Sequence, residues 1–209
     1  MIEKLYLQYQ SRRIDDSRAV EEIGRLISGR KLLLLAPGKS LVSSYDRIME
    51  FIERKHPYVI TVNFVDSHYH MNACFVSNHK RIDGIRKEIS EMEEVKAILT
   101  SNIQGEYSRG DLYVDYDSYT NSDEMISDNA GLMLLRLLKK CGAQEVFLAG
   151  FDGFYRRYNY YSEEMNLKTN EEELQEKQSR IKKKLRELSK EMTITFLTPS
   201  IYEREKKHV

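Results

Sequence analysis

Two short runs constrain this chain more than any other feature: KLLLLA at 31–36 and EVFLAG at 145–150. Successive side chains of a strand point to opposite faces, so a run that is apolar at nearly every position is buried on both sides. That is the situation of a strand inside a parallel sheet covered by helices. The segments around these runs have the other periodicity. Ala19, Val20, Ile23, Leu26 and Ile27 recur at helical spacing over 15–27, after Asp15-Asp16-Ser17 and before a stop at Gly29.

The same alternation continues along the chain. A turn at Pro37-Gly38 precedes a helix that Ser43 or Ser44 caps and whose Ile48, Phe51 and Ile52 share a face; Pro57 breaks it before a β-rich run at 58–62. Strands are expected at 73–77 and 95–100 with a charged helix at 82–89 between them, and a weaker fifth strand at 112–116. Ser127 or Asp128 caps an apolar helix from Ala130 to Cys141, Gly142 ends it, and the strand at 145–150 follows. A long helix at 170–192 carries Leu174, Ile181, Leu185, Leu188 and Met192 on one stripe, and a last strand is expected at 193–197. Strands and helices in this order predict an α/β fold: a doubly wound, mostly parallel sheet with helices on both faces.

With 209 residues, 1–209 is expected to form one domain, 1–29 being its helical lead-in. Hydrophobic residues at 41% and charged residues at 32% exclude a disordered tail, and 33 basic against 33 acidic residues leave no global field to gather nucleic acid. Cys74 and Cys141 sit in apolar runs and read as buried thiols of a reducing compartment. No apolar stretch approaches the roughly 18 residues of a membrane span and no leader pattern opens the chain, so a cytoplasmic protein is expected.

Open α/β sheets bind ligands beyond the carboxyl ends of their strands. Five polar loops therefore matter. In 36–40, Gly38-Lys39-Ser40 ends as a Walker A motif does, but the first glycine would fall on Leu33 inside the strand. What remains is a glycine turn whose N–H groups could meet a phosphate or a base edge, or a plain strand-to-helix turn. In 63–70, His68 and His70 lack a third metal ligand at characteristic spacing, so no metal site is expected, and Asn63 either reads a base edge or satisfies its own turn. Asn78-His79-Lys80-Arg81 gathers positive charge where phosphates could be held, or is a solvated helix start. Asp115, Asp117 and Asp123 could hold Mg²⁺ together with phosphate oxygens, or be solvated. The loop at 150–161 places Asp152, Arg156, Arg157 and the tyrosines Tyr155, Tyr158, Tyr160 and Tyr161 after a buried strand, a density suited to gripping phosphate or stacking on a base.

Read together, Leu35-Ala36-Pro37-Gly38-Lys39-Ser40-Leu41, Val62-Asn63-Phe64, Cys74-Phe75-Val76-Ser77-Asn78, Asn129-Ala130-Gly131 and Leu148-Ala149-Gly150-Phe151-Asp152 resemble the bacterial single-domain sialyltransferases of Rossmann-like fold, over about 30–200. The resemblance implies a CMP donor gripped at Gly38 and Ser40, at Asn63, and at Ala130 and Gly131. It implies Tyr155 and Tyr161, with Tyr160 as a rival, as the tyrosines that steady the departing phosphate. The chain departs from that pattern at Pro37, where the family has asparagine, and between Tyr161 and Leu174, where the family's histidine base is missing. His68, His70 and Asp152 are the candidates for that base. The turn pattern is also similar to 6-hydroxymethylpterin diphosphokinase-like proteins and to the domain appended to aldolases of surface-polysaccharide gene clusters.

Three readings follow. The first is a glycosyltransferase-like domain of polysaccharide biosynthesis that needs no metal or other cofactor, taking a nucleotide-sugar and a saccharide acceptor. Its expected catalytic residues are Tyr155, Tyr161, Asp152 and His68, and its nucleotide-binding residues are Gly38, Lys39, Ser40, Asn63, Asn78, Ala130, Gly131 and Arg156. The second is a Mg²⁺-dependent diphosphokinase acting on ATP and a pterin-like acceptor through Asp115, Asp117 or Asp152. The third is a non-catalytic nucleotide-binding or docking module, partnered by a second copy or an aldolase domain.

Overall fold

The computed structural model describes residues 13–92, 94–103, 110–153 and 171–203. Seven strands, β1 (Leu32–Leu35), β2 (Tyr58–Val62), β3 (Ala73–Val76), β4 (Lys96–Thr100), β5 (Leu112–Val114), β6 (Glu145–Ala149) and β7 (Thr193–Phe196), form one sheet in the order β5-β4-β3-β2-β1-β6-β7. Every pairing is parallel. The two apolar runs pair directly, with Leu33 opposite Phe147 and Leu34 opposite Leu148, so β1 is an interior strand flanked by β2 and β6, and all four of its residues are buried.

The helices are α1 (Ser17–Ile27), α2 (Ser40–Ser43), α3 (Tyr45–Lys55), α4 (Ile82–Ser90), α5 (Tyr116–Tyr119), α6 (Ala130–Lys140) and α7 (Glu171–Leu188). On one face, Leu32, Leu34, Ile60 and Leu148 pack with Ile23 of α1, Leu134 and Leu138 of α6 and Ile181 and Leu185 of α7. On the other, Leu33, Leu35 and Val59 pack with Leu41 of α2 and Ile48 of α3, while Cys74, Val76 and Leu99 pack with Ile82 and Ile85 of α4. Consecutive β1 side chains thus enter two different cores, which is why no position in the run tolerates a polar group. No helix among the described residues is long and apolar enough to cross a membrane.

Several local expectations change. The helix after β1 is broken into α2 and α3, and no side chain caps either. The cap of α6 is Asn129, whose Oδ1 accepts the Leu132 N–H at 3.0 Å, rather than Ser127 or Asp128. The helix α7 ends at Leu188, and Met192 is buried beyond it. Burial pushes both thiols up to about 12, but Cys141 is only half-buried, at the end of α6.

Asp16, just before α1, does not cap its helix. Its carboxylate accepts the Tyr119 hydroxyl at 2.6 Å, the Lys140 ammonium at 3.0 Å and the Asp115 N–H at 3.2 Å, joining α1, α5, α6 and the end of β5. The three carboxylates considered for Mg²⁺ are spread apart by similar duties. Asp115 caps α5 through the Ser118 N–H, Asp117 lies 3.9 Å from Arg13, and Asp123 pairs with Arg180 at 2.9 Å.

Candidate nucleotide cleft

The chain runs from β1 outward through β2 to β5 on one side and returns to β6 on the other. Loops leaving β1 and β6 therefore diverge to opposite faces and open a crevice between them, the topological switch point where doubly wound sheets bind ligands. A cleft of about 250 Å³ lies there. Gly38, Asn63, Asn78, Ala130, Gly131 and Asp152, drawn from five separate loops and helix starts, all line it, together with Arg81, Asn129, Gly150, Phe151, Gly153 and Tyr202.

Close backbone approach shapes its floor. Gly38 needs no special φ, but a Cβ there would stand 2.2 Å from the Gly150 carbonyl oxygen and 2.7 Å from the Asp152 carboxylate. A Cβ on Gly131 would stand 2.7 Å from the Phe151 ring. The absence of two side chains lets the β1 turn, the β6 loop and the start of α6 converge.

The polar groups are arranged in two parts. Asn63 holds the left-handed conformation at φ 59°, which asparagine tolerates better than most residues. Its Oδ1 accepts the Ser77 N–H at 2.9 Å, locking the end of β2 to the end of β3. Its amide NH₂ has no partner among the described residues and remains available to a ligand in the cleft it lines. The N–H groups of Ala130 and Gly131, in the first turn of α6, likewise have no partner among the described residues.

The second part is a chain of hydrogen bonds under the β1 turn. The Gly150 N–H donates to Thr198 Oγ1 at 3.0 Å, which lies 2.8 Å from Ser40 Oγ. Ser40 in turn gives both its hydroxyl and its N–H, the latter at 2.8 Å, to the Asp152 carboxylate. A hydroxyl has one proton and a carboxylate none, so Ser40 donates to Asp152 and Thr198 donates to Ser40. The Gly38 N–H is also occupied, by the Ala36 carbonyl at 2.8 Å. The turn's N–H groups at Gly38 and Ser40 are thus satisfied from within the protein, as in the plain strand-to-helix turn that was one of the two readings of this loop.

The remaining candidates lie elsewhere. Ser40 is buried beneath the cleft, and the exposed Lys39 does not line it. His68 is exposed, its Nδ1 2.7 Å from Asp66, and neither it nor His70 lines the cleft. Tyr155, Arg156, Tyr160 and Tyr161 lie outside the described residues, and Gly153, the last described residue before them, lines the cleft. No group of three side chains suited to a metal ion occurs among the described residues. Sequence reasoning overlooked Thr198 and Tyr202. The signal was present, since both follow the carboxyl end of β7, the position that had singled out the other loops.

No protein-family model matches the chain, and no curated protein matches its sequence. Among solved structures it is similar to the crystal structure of a mammalian sialyltransferase in complex with Gal-beta-1-3GalNAc-ortho-nitrophenol, at 14% identity and a TM-score of 0.49, over 94% of this chain and 85% of that one. A likeness at that level carries no argument about what the chain does. The chain's own geometry is an all-parallel, seven-stranded α/β sheet, Rossmann-like in its winding, with a cleft of mixed polar and apolar lining at its switch point.

Proposed function

We propose that the chain is a nucleotide-sugar-binding, glycosyltransferase-like domain of surface-polysaccharide biosynthesis, with CMP as the nucleotide of its donor. One observation carries the reading: Gly38, Asn63, Asn78, Ala130 and Gly131, far apart in sequence, line a single cleft at the switch point of the sheet. Asn63, Asn78 and Asn129 supply amide groups of the kind that read a base edge, Phe151 and Tyr202 supply aromatic surface, and the first turn of α6 supplies N–H groups with no partner among the described residues.

In the transfer, an acceptor hydroxyl attacks the anomeric carbon, the bond to the phosphate oxygen breaks, the nucleotide leaves with the electron pair, and the proton of the hydroxyl passes to solvent. Tyr155, Tyr161 and Arg156 are the groups we assign to the departing phosphate. Asp152 serves the cleft through Ser40 in the first instance, because both of its oxygens are engaged there.

The test is thermal unfolding with CMP, CDP, UDP, GDP and ATP, each with and without Mg²⁺. A ligand that binds only the native state raises the melting point by mass action. A shift with the cytidine nucleotides, unchanged by chelation, is expected. A shift with ATP that requires Mg²⁺ would replace this reading with the diphosphokinase. Gly131→Ala is expected to weaken the CMP-dependent shift, since the new methyl drives the Phe151 ring into the cleft. Affinity should fall about tenfold while the unliganded protein loses about 1–2 kcal/mol. Isothermal titration calorimetry with CMP reads the first effect, and a denaturation midpoint the second.

A further inference from the structure

Among the described residues that line the cleft, Asp152 and Arg81 carry its charge. Asp152 stands against the β1 turn, its carboxylate 2.7 Å from where a Gly38 Cβ would be and both oxygens bound to Ser40. Arg81, after β3, is the only basic side chain among the described lining residues. Neighbouring strands lie about 4.8 Å apart, so three spacings, about 14 Å, separate the ends of β3 and β6, the strands whose following segments carry Arg81 and Asp152.

An ionised carboxylate already takes the Ser40 N–H, which a phosphate would use in a phosphate-binding turn, and the Gly38 N–H is spent on Ala36. An anion approaching that turn meets a fixed like charge instead of free donors. Resting on the nucleotide reading above, we infer that Asp152 is a specificity-determining residue that sets the direction of the bound ligand. It holds phosphate away from the β1 turn, so the anionic part lies on the Arg81 side and an uncharged portion, nucleoside or sugar, lies against Gly38 and Gly150.

The test compares cytidine with CMP by isothermal titration calorimetry on the wild type, Arg81→Gln and Asp152→Asn. If another base is preferred, the matching nucleoside and monophosphate replace them. Arg81→Gln is expected to weaken CMP about tenfold and cytidine less than twofold. Asp152→Asn keeps an acceptor for the Ser40 N–H but removes the charge. It should raise the preference for CMP over cytidine about threefold or more, an effect that added salt diminishes. Retained cytidine binding shows that each variant is folded. An unchanged preference in both variants, with CMP still bound, overturns the assigned direction and leaves the nucleotide reading standing. Failure of the wild type to bind CMP, UMP, GMP or AMP overturns the nucleotide reading and the inference with it.

Discussion

Gly150→Ala is expected to be the most damaging alanine substitution among the described glycines. Gly150 closes β6 at φ 73°, and a Cβ there would lie 1.8 Å from the Ala36 carbonyl oxygen and 2.9 Å from its carbon. Those atoms are backbone at the end of the interior strand β1 and cannot swing aside. To admit the methyl, the β1 and β6 ends must separate, breaking the Gly150 N–H bond to Thr198 and moving Asp152 off Ser40. A loss of about 4 kcal/mol or more is expected. At about 2–4 °C per kcal/mol for a chain of this size, that lowers the melting point by about 8–16 °C. Gly142→Ala is the control, because Gly142 also has a positive φ of 92° but no atom within 4 Å of its would-be Cβ. It should cost about 1–2 kcal/mol, the conformational penalty alone. Equal melting points for the two variants would show that the convergence of β1 and β6 is not as tight as described.

Asp16→Ala is expected to cost about 3 kcal/mol, the lower end of the range for breaking a buried charged pair, because Lys140 keeps partial access to water. The substitution strips the acceptor from the Tyr119 hydroxyl, the Lys140 ammonium and the Asp115 N–H together. Tyr119→Phe removes one of those three bonds and should cost about 1 kcal/mol. Burial disfavours the Asp16 anion, but the bonds from Tyr119, Lys140 and the Asp115 N–H together outweigh it and hold the carboxyl below its ordinary 3.8. The same contact pushes the Tyr119 phenol far up, burial first and the Asp16 carboxylate second. With its folded value below the unfolded one, Asp16 binds fewer protons in the native state. Its contribution is complete above the ordinary value and is lost as pH falls through the folded one. Denaturant midpoints of wild type and Asp16→Asn should therefore keep their gap from pH 7 down to the ordinary value and narrow it below that value, towards pH 3. A constant gap over that range would mean that the Asp16 charge does not stabilise the fold.

The layered architecture was legible because burial on two faces leaves a mark no other arrangement leaves. The run Leu32 to Leu35 has no polar residue to offer water, and the helices that cover it carry their apolar stripes at helical spacing. The line of strand ends was legible for a related reason: turn residues such as Gly38 and Gly150 interrupt the periodicity where backbone must bend. The cap of α6 was missed because Ser127, Asp128 and Asn129 all suit the position, and only the direction of each side chain separates them.

Roles within the cleft were legible only by residue type. Asp152 and Ser40 are 112 residues apart, and nothing local to either says that one carboxylate takes both donors of the other. Thr198 and Asp16 are hidden in the same way, each an ordinary polar residue whose partners lie on distant elements. What the sequence alone determined is the order of strands and helices and the set of loops at one edge of the sheet, since periodicity and turn chemistry act over a few residues. The tertiary structure decided which donors and acceptors meet, because hydrogen-bond pairing across a sheet depends on angstrom-scale positions that close only when β1 and β6 lie side by side.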